Sequence, residues 1–125
     1  GETLLAPHLS YLQVLRPVIE RRWVNGLAHI TGGGLTENIP RILPTDCTAV
    51  IRIGTWPGLP IFGILQKLGR IDEAEMLRTF NMGIGMVVIA APRNLAKMLL
   101  HFKKQRQPVY QIGEIRSGKR SVVYE

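Results

Sequence analysis

Ala28-His29-Ile30-Thr31-Gly32-Gly33-Gly34-Leu35-Thr36-Glu37-Asn38-Ile39-Pro40-Arg41 decides how this chain is read. A short apolar, β-prone run leads into three consecutive glycines, and a segment of helical character follows. Each glycine loses the most backbone entropy on folding and gives no side chain to a core, so packing predicts no such triplet. What the triplet offers is bare backbone N–H groups that a bulky anion can approach closely. A glycine-rich turn between a strand and a helix suits a phosphate. The spacing matches neither GxGxxG nor GxxxxGK[ST], so a tight strand-to-helix turn without a ligand stays open beside the anion reading.

The 125 residues suffice for one domain with a core of its own. With 46% hydrophobic and 20% charged residues, the composition is that of a globular chain and excludes a disordered one. The longest apolar run, Met86 to Pro92 with its flanks, falls far short of the roughly 20 residues that cross a bilayer. No signal-peptide pattern opens the chain, and Cys47 is the only cysteine, so a reducing, cytoplasmic location is expected. Cys47, beside Asp46, reads as a loop or core residue and not as a nucleophile. The start Gly1-Glu2-Thr3 lacks a methionine, which reads as a processed, tagged or excised fragment.

The net charge of +7 makes anionic partners worth weighing. Along the sequence the basic residues look dispersed. Arg16, Arg21 and Arg22 close one helical stretch, and Lys97, Lys103, Lys104 and Arg106 decorate another, where they suit helix C-termini. No aromatic residues alternate with them as a base-stacking platform requires, so a solvated face is expected, with no nucleic acid and no membrane partner; attraction of a phosphorylated metabolite is the alternative.

Strands and helices alternate. Leu9 to Trp23 has helical spacing, with a kink or restart at Pro17, and Val24 to Thr31 reads as a strand delivering His29 toward the glycines. Thr36 or a neighbour caps a short helix over Glu37 to Leu43, and Ala49 to Ile53 is a strand. Pro60 to Leu68 is a helix stopped by Gly69, and Asp72 with Glu75 forms a capping box for a helix to about Phe80. Met86 to Ala91 is a strand and Pro92 to Gln105 an amphipathic helix. Val109 to Arg116 and Ser121 to Tyr124 read as a hairpin closed at Ser117-Gly118-Lys119. Helices segregated on a sheet with this hairpin favour an α+β class. Trp56 reads as a core anchor and His101 as a solvated residue of a basic helical face.

The run His29-Ile30-Thr31-Gly32-Gly33-Gly34-Leu35, then Glu37-Asn38-Ile39-Pro40-Arg41-Ile42-Leu43-Pro44, closely resembles aminoimidazole ribonucleotide synthetases, the phosphoribosylformylglycinamidine cyclo-ligases. Leu4-Leu5, Pro7, Tyr11, Trp56, Ile61-Phe62, Leu65-Gln66, Gly69, Glu75-Met76, Arg78-Thr79-Phe80-Asn81, Gly83-Ile84-Gly85-Met86 and Val122-Val123-Tyr124-Glu125 extend the resemblance in the same order. It covers the whole chain but only the C-terminal half of that family. The resemblance implies a layered α/β/α domain with partial ferredoxin-like topology. It also implies conversion of formylglycinamidine ribonucleotide and ATP to aminoimidazole ribonucleotide, ADP and phosphate in purine synthesis. ATP and Mg²⁺ then belong mainly to an N-terminal, dimer-forming domain that these residues do not include. The partners expected are that domain, a homodimer partner and the ribonucleotide, and the isolated piece is expected to be inactive and to carry no cofactor.

On that resemblance, Thr31, Gly32, Gly33 and Gly34 grip the substrate phosphate through their N–H groups, with the Thr31 hydroxyl as an extra donor. His29 is either a polar contact and proton carrier or a structural histidine. Glu37 and Asn38 orient the loop, reach substrate or cap the next helix. Arg41 adds charge near the phosphate or pairs with Glu37. Asn81, Gly83 and Gly85 let the next strand lie against the triplet, with direct contact the weaker option. Pro7-His8-Leu9-Ser10-Tyr11 departs from the family's Pro-Thr-basic-Ile-Tyr pattern, which leaves substrate contacts from that loop unsupported. A non-catalytic phosphate-binding module and a basic nucleic-acid-binding domain are the competing readings.

Overall fold

The computed structural model describes residues 11–125. The positions Leu4, Leu5, Pro7, His8, Leu9 and Ser10 lie outside the described residues.

Helix α1 (Leu12–Glu20) continues across Pro17, and strand β1 (Gly26–His29) leads into the five-residue helix α2 (Gly34–Asn38) and a tight 3-10 turn at Pro40–Ile42. Strand β2 (Cys47–Ile51), helices α3 (Pro60–Gly69) and α4 (Glu73–Thr79), strand β3 (Met86–Ile89), helix α5 (Pro92–Lys104) and strands β4 (Gly113–Ser117) and β5 (Ser121–Tyr124) complete the order. The α+β class expected from the sequence holds.

Two small sheets share one core. β1 pairs antiparallel with β3, Gly26 opposite Ile89 and His29 opposite Met86. Because side chains alternate across a strand, Leu27, Met86 and Val88 face α1 and α5, where Leu15, Val18, Met98 and Phe102 are buried. Ala28, Val87 and Ile89 face the other way. There Ile30, Leu35 and Ile39 join Ala49 and Ile51 of β2, with Val122 and Tyr124 of β5 packed against them. The glycine triplet is therefore bracketed by Ile30 and Leu35, both buried in this second cluster.

The expected C-terminal hairpin is not one. β2 lies between β4 and β5, antiparallel to the first and parallel to the second, so Ser117-Gly118-Lys119 spans a whole strand. Pairing to β2 buries Ala49 and Ile51 on the core side, which a two-stranded hairpin alone cannot do.

Other boundaries move for local reasons. α2 starts at Gly34 behind a left-handed Gly33 and carries no side-chain cap, so Thr36 is not the cap; its hydroxyl meets Leu77 O and, at 2.8 Å, the Tyr124 hydroxyl. The helix expected over Glu37 to Leu43 has ended at Asn38, and Pro40 starts the tighter turn instead. α3 includes Gly69, and Arg70 takes the left-handed closing position at φ 50°. The Asp72 carboxylate caps α4 at the Glu75 N–H, 2.8 Å away, whereas the Glu75 side chain turns to Thr79 and does not complete a box. β1, β3 and β4 are shorter than their apolar runs, and β2 keeps its expected length but starts two residues earlier. β1 covers residues 26–29, β2 47–51, β3 86–89 and β4 113–117.

Candidate functional site

The glycine turn is built by its own hydrogen bonds. The Gly34 N–H donates to Thr31 O at 3.0 Å, closing a four-residue turn whose third residue, Gly33, has φ 96° and ψ −9°. That is the geometry of a type II turn, which requires positive φ at this position. Gly34 also has positive φ, 59°, and a Cβ there would strike the carbonyl oxygens of Leu77 and Phe80 at the end of α4. A side chain at Gly34 would force α2 and α4 apart, so packing does explain this glycine, contrary to the expectation from the sequence.

Gly32 is different. Its φ lies outside the left-handed range, a Cβ there would meet nothing within 4 Å, and the residue is exposed. Neither turn nor core demands glycine at this position, and its surface is open to an incoming group.

Asn38 staples the loop. The side chain is 4% exposed, and its amide donates to Gly34 O at 2.8 Å, Thr31 O at 3.2 Å and Gly32 O at 3.3 Å. The Thr31 hydroxyl donates back to Asn38 Oδ1 at 3.3 Å, so that proton is turned inward and not toward solvent. Of the alternatives left open for Asn38, loop orientation is the one the geometry displays. Glu37 is exposed, and its side chain lies against Gly33, where an added Cβ would stand 2.7 Å from Glu37 Cβ. Arg41 is exposed on the 3-10 turn and makes no ion pair with Glu37.

His29 ends β1, exposed, on the strand face it shares with Leu27. Ile30 turns back into the core, and its N–H donates to Gly85 O at 2.9 Å, which holds the entrance of β3 beside the triplet. Asn81 Oδ1 accepts from the Gly83 N–H at 3.0 Å, so the Asn81 side chain shapes that turn. The Trp56 indole donates to Met82 O at 3.0 Å, joining the Trp56–Pro60 connector to the same turn while its ring packs on the core. An apolar cavity of about 360 Å³, lined by Gly58, Leu59, Pro60, Phe62 and Met82 among others, opens there.

Two side chains depart from their expected surroundings. His101 is half-buried, and its Nε2–H donates to Val14 O at 2.9 Å, which binds α5 to α1. Tyr124, at the end of β5, reaches Thr36 across 88 positions of sequence. Burial pushes the Tyr124 hydroxyl above its ordinary pKa, partly offset by that hydrogen bond. Desolvation and then the Asp46 carboxylate hold the Cys47 thiol above its usual range, which agrees with a non-nucleophilic residue. Among the described residues no three of His, Cys, Asp and Glu stand together as metal ligands, and no helix is long and apolar enough to cross a membrane.

Comparison with known proteins adds a second line of evidence. The family described as AIR synthase related protein, C-terminal domain, matches residues 1–125. A phosphoribosylformylglycinamidine cyclo-ligase of Brevibacillus brevis is 45% identical over 124 residues, 99% of this chain and 36% of the relative. The Geobacillus kaustophilus protein of the same name is 48% identical over 118 residues, covering 94% of this chain and 34% of its own length. That of Latilactobacillus sakei is 43% identical over 123 residues, with shares of 98% and 36%. The chain thus spans about a third of the length of the curated relatives it matches.

Proposed function

The chain belongs to the AIR synthase related protein C-terminal domain family, and on that premise we propose that it is the substrate-side part of a phosphoribosylformylglycinamidine cyclo-ligase. The reaction transfers the terminal phosphoryl group of ATP to the formyl oxygen of formylglycinamidine ribonucleotide, releasing ADP. The amidine nitrogen then attacks the activated carbon, phosphate leaves with that oxygen, and the imidazole ring closes.

One observation carries the reading for this chain. The glycine turn is held open and rigid by Asn38, and Gly32 presents bare, exposed backbone with no structural demand of its own. The N–H groups of Gly32 and Gly33 are the donors offered to the ribonucleotide phosphate, because the Gly34 N–H is committed to Thr31 O. A preset cradle binds an anion without first ordering a loop, which is where preorganisation gains affinity. Glu37 beside Gly33 repels an anion, and Arg41, four residues on, offsets that charge. His29 lies at the strand end next to the cradle as a polar contact for the substrate.

The remaining two-thirds of such an enzyme would supply ATP binding and the dimer. Support for a large covalent or subunit neighbour comes from α3. Ile64 is 52% and Leu68 81% exposed, and none of the helix's residues is buried, although its sequence is mostly apolar.

The test is reconstitution. Mixed with the other two-thirds of the Brevibacillus relative, this chain is expected to restore ATP-dependent formation of aminoimidazole ribonucleotide. Gly32→Ala should raise the ribonucleotide KM by about tenfold or more, because the added methyl group occupies the open space through which the phosphate reaches the backbone N–H groups. Absence of cyclisation with both parts folded and associated would contradict the proposal.

A further inference from the structure

The basic residues that look scattered in sequence are gathered by the fold onto one layer. α1 with the turn after it, and α5 with the turn after it, carry Arg16, Arg21, Arg22, Arg93, Lys97, Lys103, Lys104 and Arg106. That is eight of the chain's sixteen basic residues, against one of its nine acidic residues, Glu20. The entire net charge of +7 therefore resides on this layer, and the rest of the chain is balanced. Among the described residues the ion pairs join Arg52, Glu114, Arg116 and Glu125, all on or next to β2, β4 and β5, so the layer's cations have no carboxylate partner. Surfaces usually mix the two signs, and a concentrated field of one sign marks an oppositely charged ligand.

Within the layer two cations are held in place. The Arg21 guanidinium lies 5.0 Å and the Lys97 ammonium 4.9 Å from the centre of the Trp23 ring, which puts the two charges within about 10 Å of each other. Trp23 is itself anchored, packed on the α1–α5 core with its carbonyl accepting from the Asn94 side chain at 3.5 Å. Beside them is a shallow cavity of about 280 Å³, lined also by His101, Lys104 and Gln105. Its His101 wall is fixed by the bond to Val14 O. The cavity is thus lined by three cations, two of them pinned on an aromatic ring, with a histidine and an amide as further polar groups. The ring's cation contacts leave it poorly placed to stack a nucleobase, and no further tryptophan, tyrosine or phenylalanine lines the cavity.

We propose that the groove between α1 and α5 at Arg21, Trp23, Lys97 and Lys104 binds a small anion carrying two or more linked phosphoryl groups. Its ligand chemistry is the phosphate chain, whether free as pyrophosphate or borne by a nucleoside. The site is separate from the glycine turn. Trp23 precedes β1 and the triplet follows it, and the four-residue strand keeps them about 13 Å apart.

The test is titration of the ¹⁵N-labelled 125-residue chain with pyrophosphate, followed on its two indole N–H signals and its glycine amides. The Trp23 indole is expected to shift at lower pyrophosphate than the Gly32 and Gly33 amides do, while that of Trp56, bonded to Met82 O, stays in place. Arg21→Gln and Lys97→Gln should each weaken binding by about tenfold without altering the rest of the spectrum. ATP, with adenosine as control, separates the two sources. A nucleoside-borne chain binds at Trp23 more tightly than pyrophosphate, a free chain equally or less tightly, and adenosine alone leaves Trp23 unmoved. A pyrophosphate shift confined to Gly32 and Gly33, no shift at all, or adenosine binding at Trp23 would each overturn the proposal. So would an oligodeoxythymidine that binds this layer more tightly than pyrophosphate with a steep salt dependence, since that marks a nucleic-acid surface. The glycine amides report separately on the ribonucleotide cradle, so failure of one site is not failure of the other.

Discussion

Gly32 and Gly34 stand two positions apart and answer to different demands. Gly34→Ala places a methyl group on the Leu77 and Phe80 carbonyls at a left-handed backbone position, and should cost about 3 kcal/mol or more in urea unfolding. Gly32→Ala meets open space and should change stability by less than about 0.5 kcal/mol, while abolishing most phosphate binding. Asn38→Ala leaves Thr31, Gly32 and Gly34 carbonyls without the amide that gathers them. A loss of about 2–3 kcal/mol is expected, together with loss of the cradle, by denaturation and titration of the same variant. The triplet itself was legible in the sequence as a strand-to-helix turn. The division of labour within it was not, because Gly34 is explained by carbonyls more than forty positions away.

At the scale of elements, local chemistry was readable and long-range pairing was not. Asp72 as a cap, Trp56 as an anchor and the periodic apolar faces of α1 and α5 follow from residues within one or two turns of each other. The insertion of β2 between β4 and β5 does not, since the turn at Gly118 looks the same whether it closes a hairpin or spans a strand. Nor does the reach of Tyr124 to Thr36, which ties β5 to α2. Tyr124 carries a pH signature. Burial raises its folded pKa above the ordinary 10.0 of an exposed tyrosine, so its contribution is complete below pH 10 and is lost as pH rises through the folded value. Tyr124→Phe should cost about 1 kcal/mol at pH 7 and flatten the alkaline fall in stability, read by denaturation from pH 8 to 12. Arg70 ends α3 at φ 50°, where glycine is preferred, and Arg70→Gly should raise stability by about 0.5–1 kcal/mol.

Over the whole molecule the net positive charge is concentrated on one layer. The α1–α5 layer holds the positive excess beside exposed Leu12, Ile19 and Leu100, whereas α3 exposes Ile64 and Leu68 without such an excess. On β4, Arg116 and then Arg52 hold the exposed Glu114 carboxylate below its ordinary range. That contribution is present above the unfolded pKa and fades as pH falls through the lower folded one. The sequence disclosed the net charge but not its location, because only the antiparallel contact of α1 with α5 brings Arg21 and Lys97 to one ring.

The claim on which the account turns is that Gly32 and Gly33 form the phosphate cradle of a ribonucleotide site. Titrating the labelled chain with formylglycinamidine ribonucleotide, and reading its glycine amides, tests it most directly. Saturable downfield shifts of the Gly32 and Gly33 N–H signals are expected while Gly34 barely moves, and in Gly32→Ala the Gly33 shift should need about tenfold more ribonucleotide. Loop amides that stay still at saturating ribonucleotide, with Asn38 and the fold intact, would contradict it.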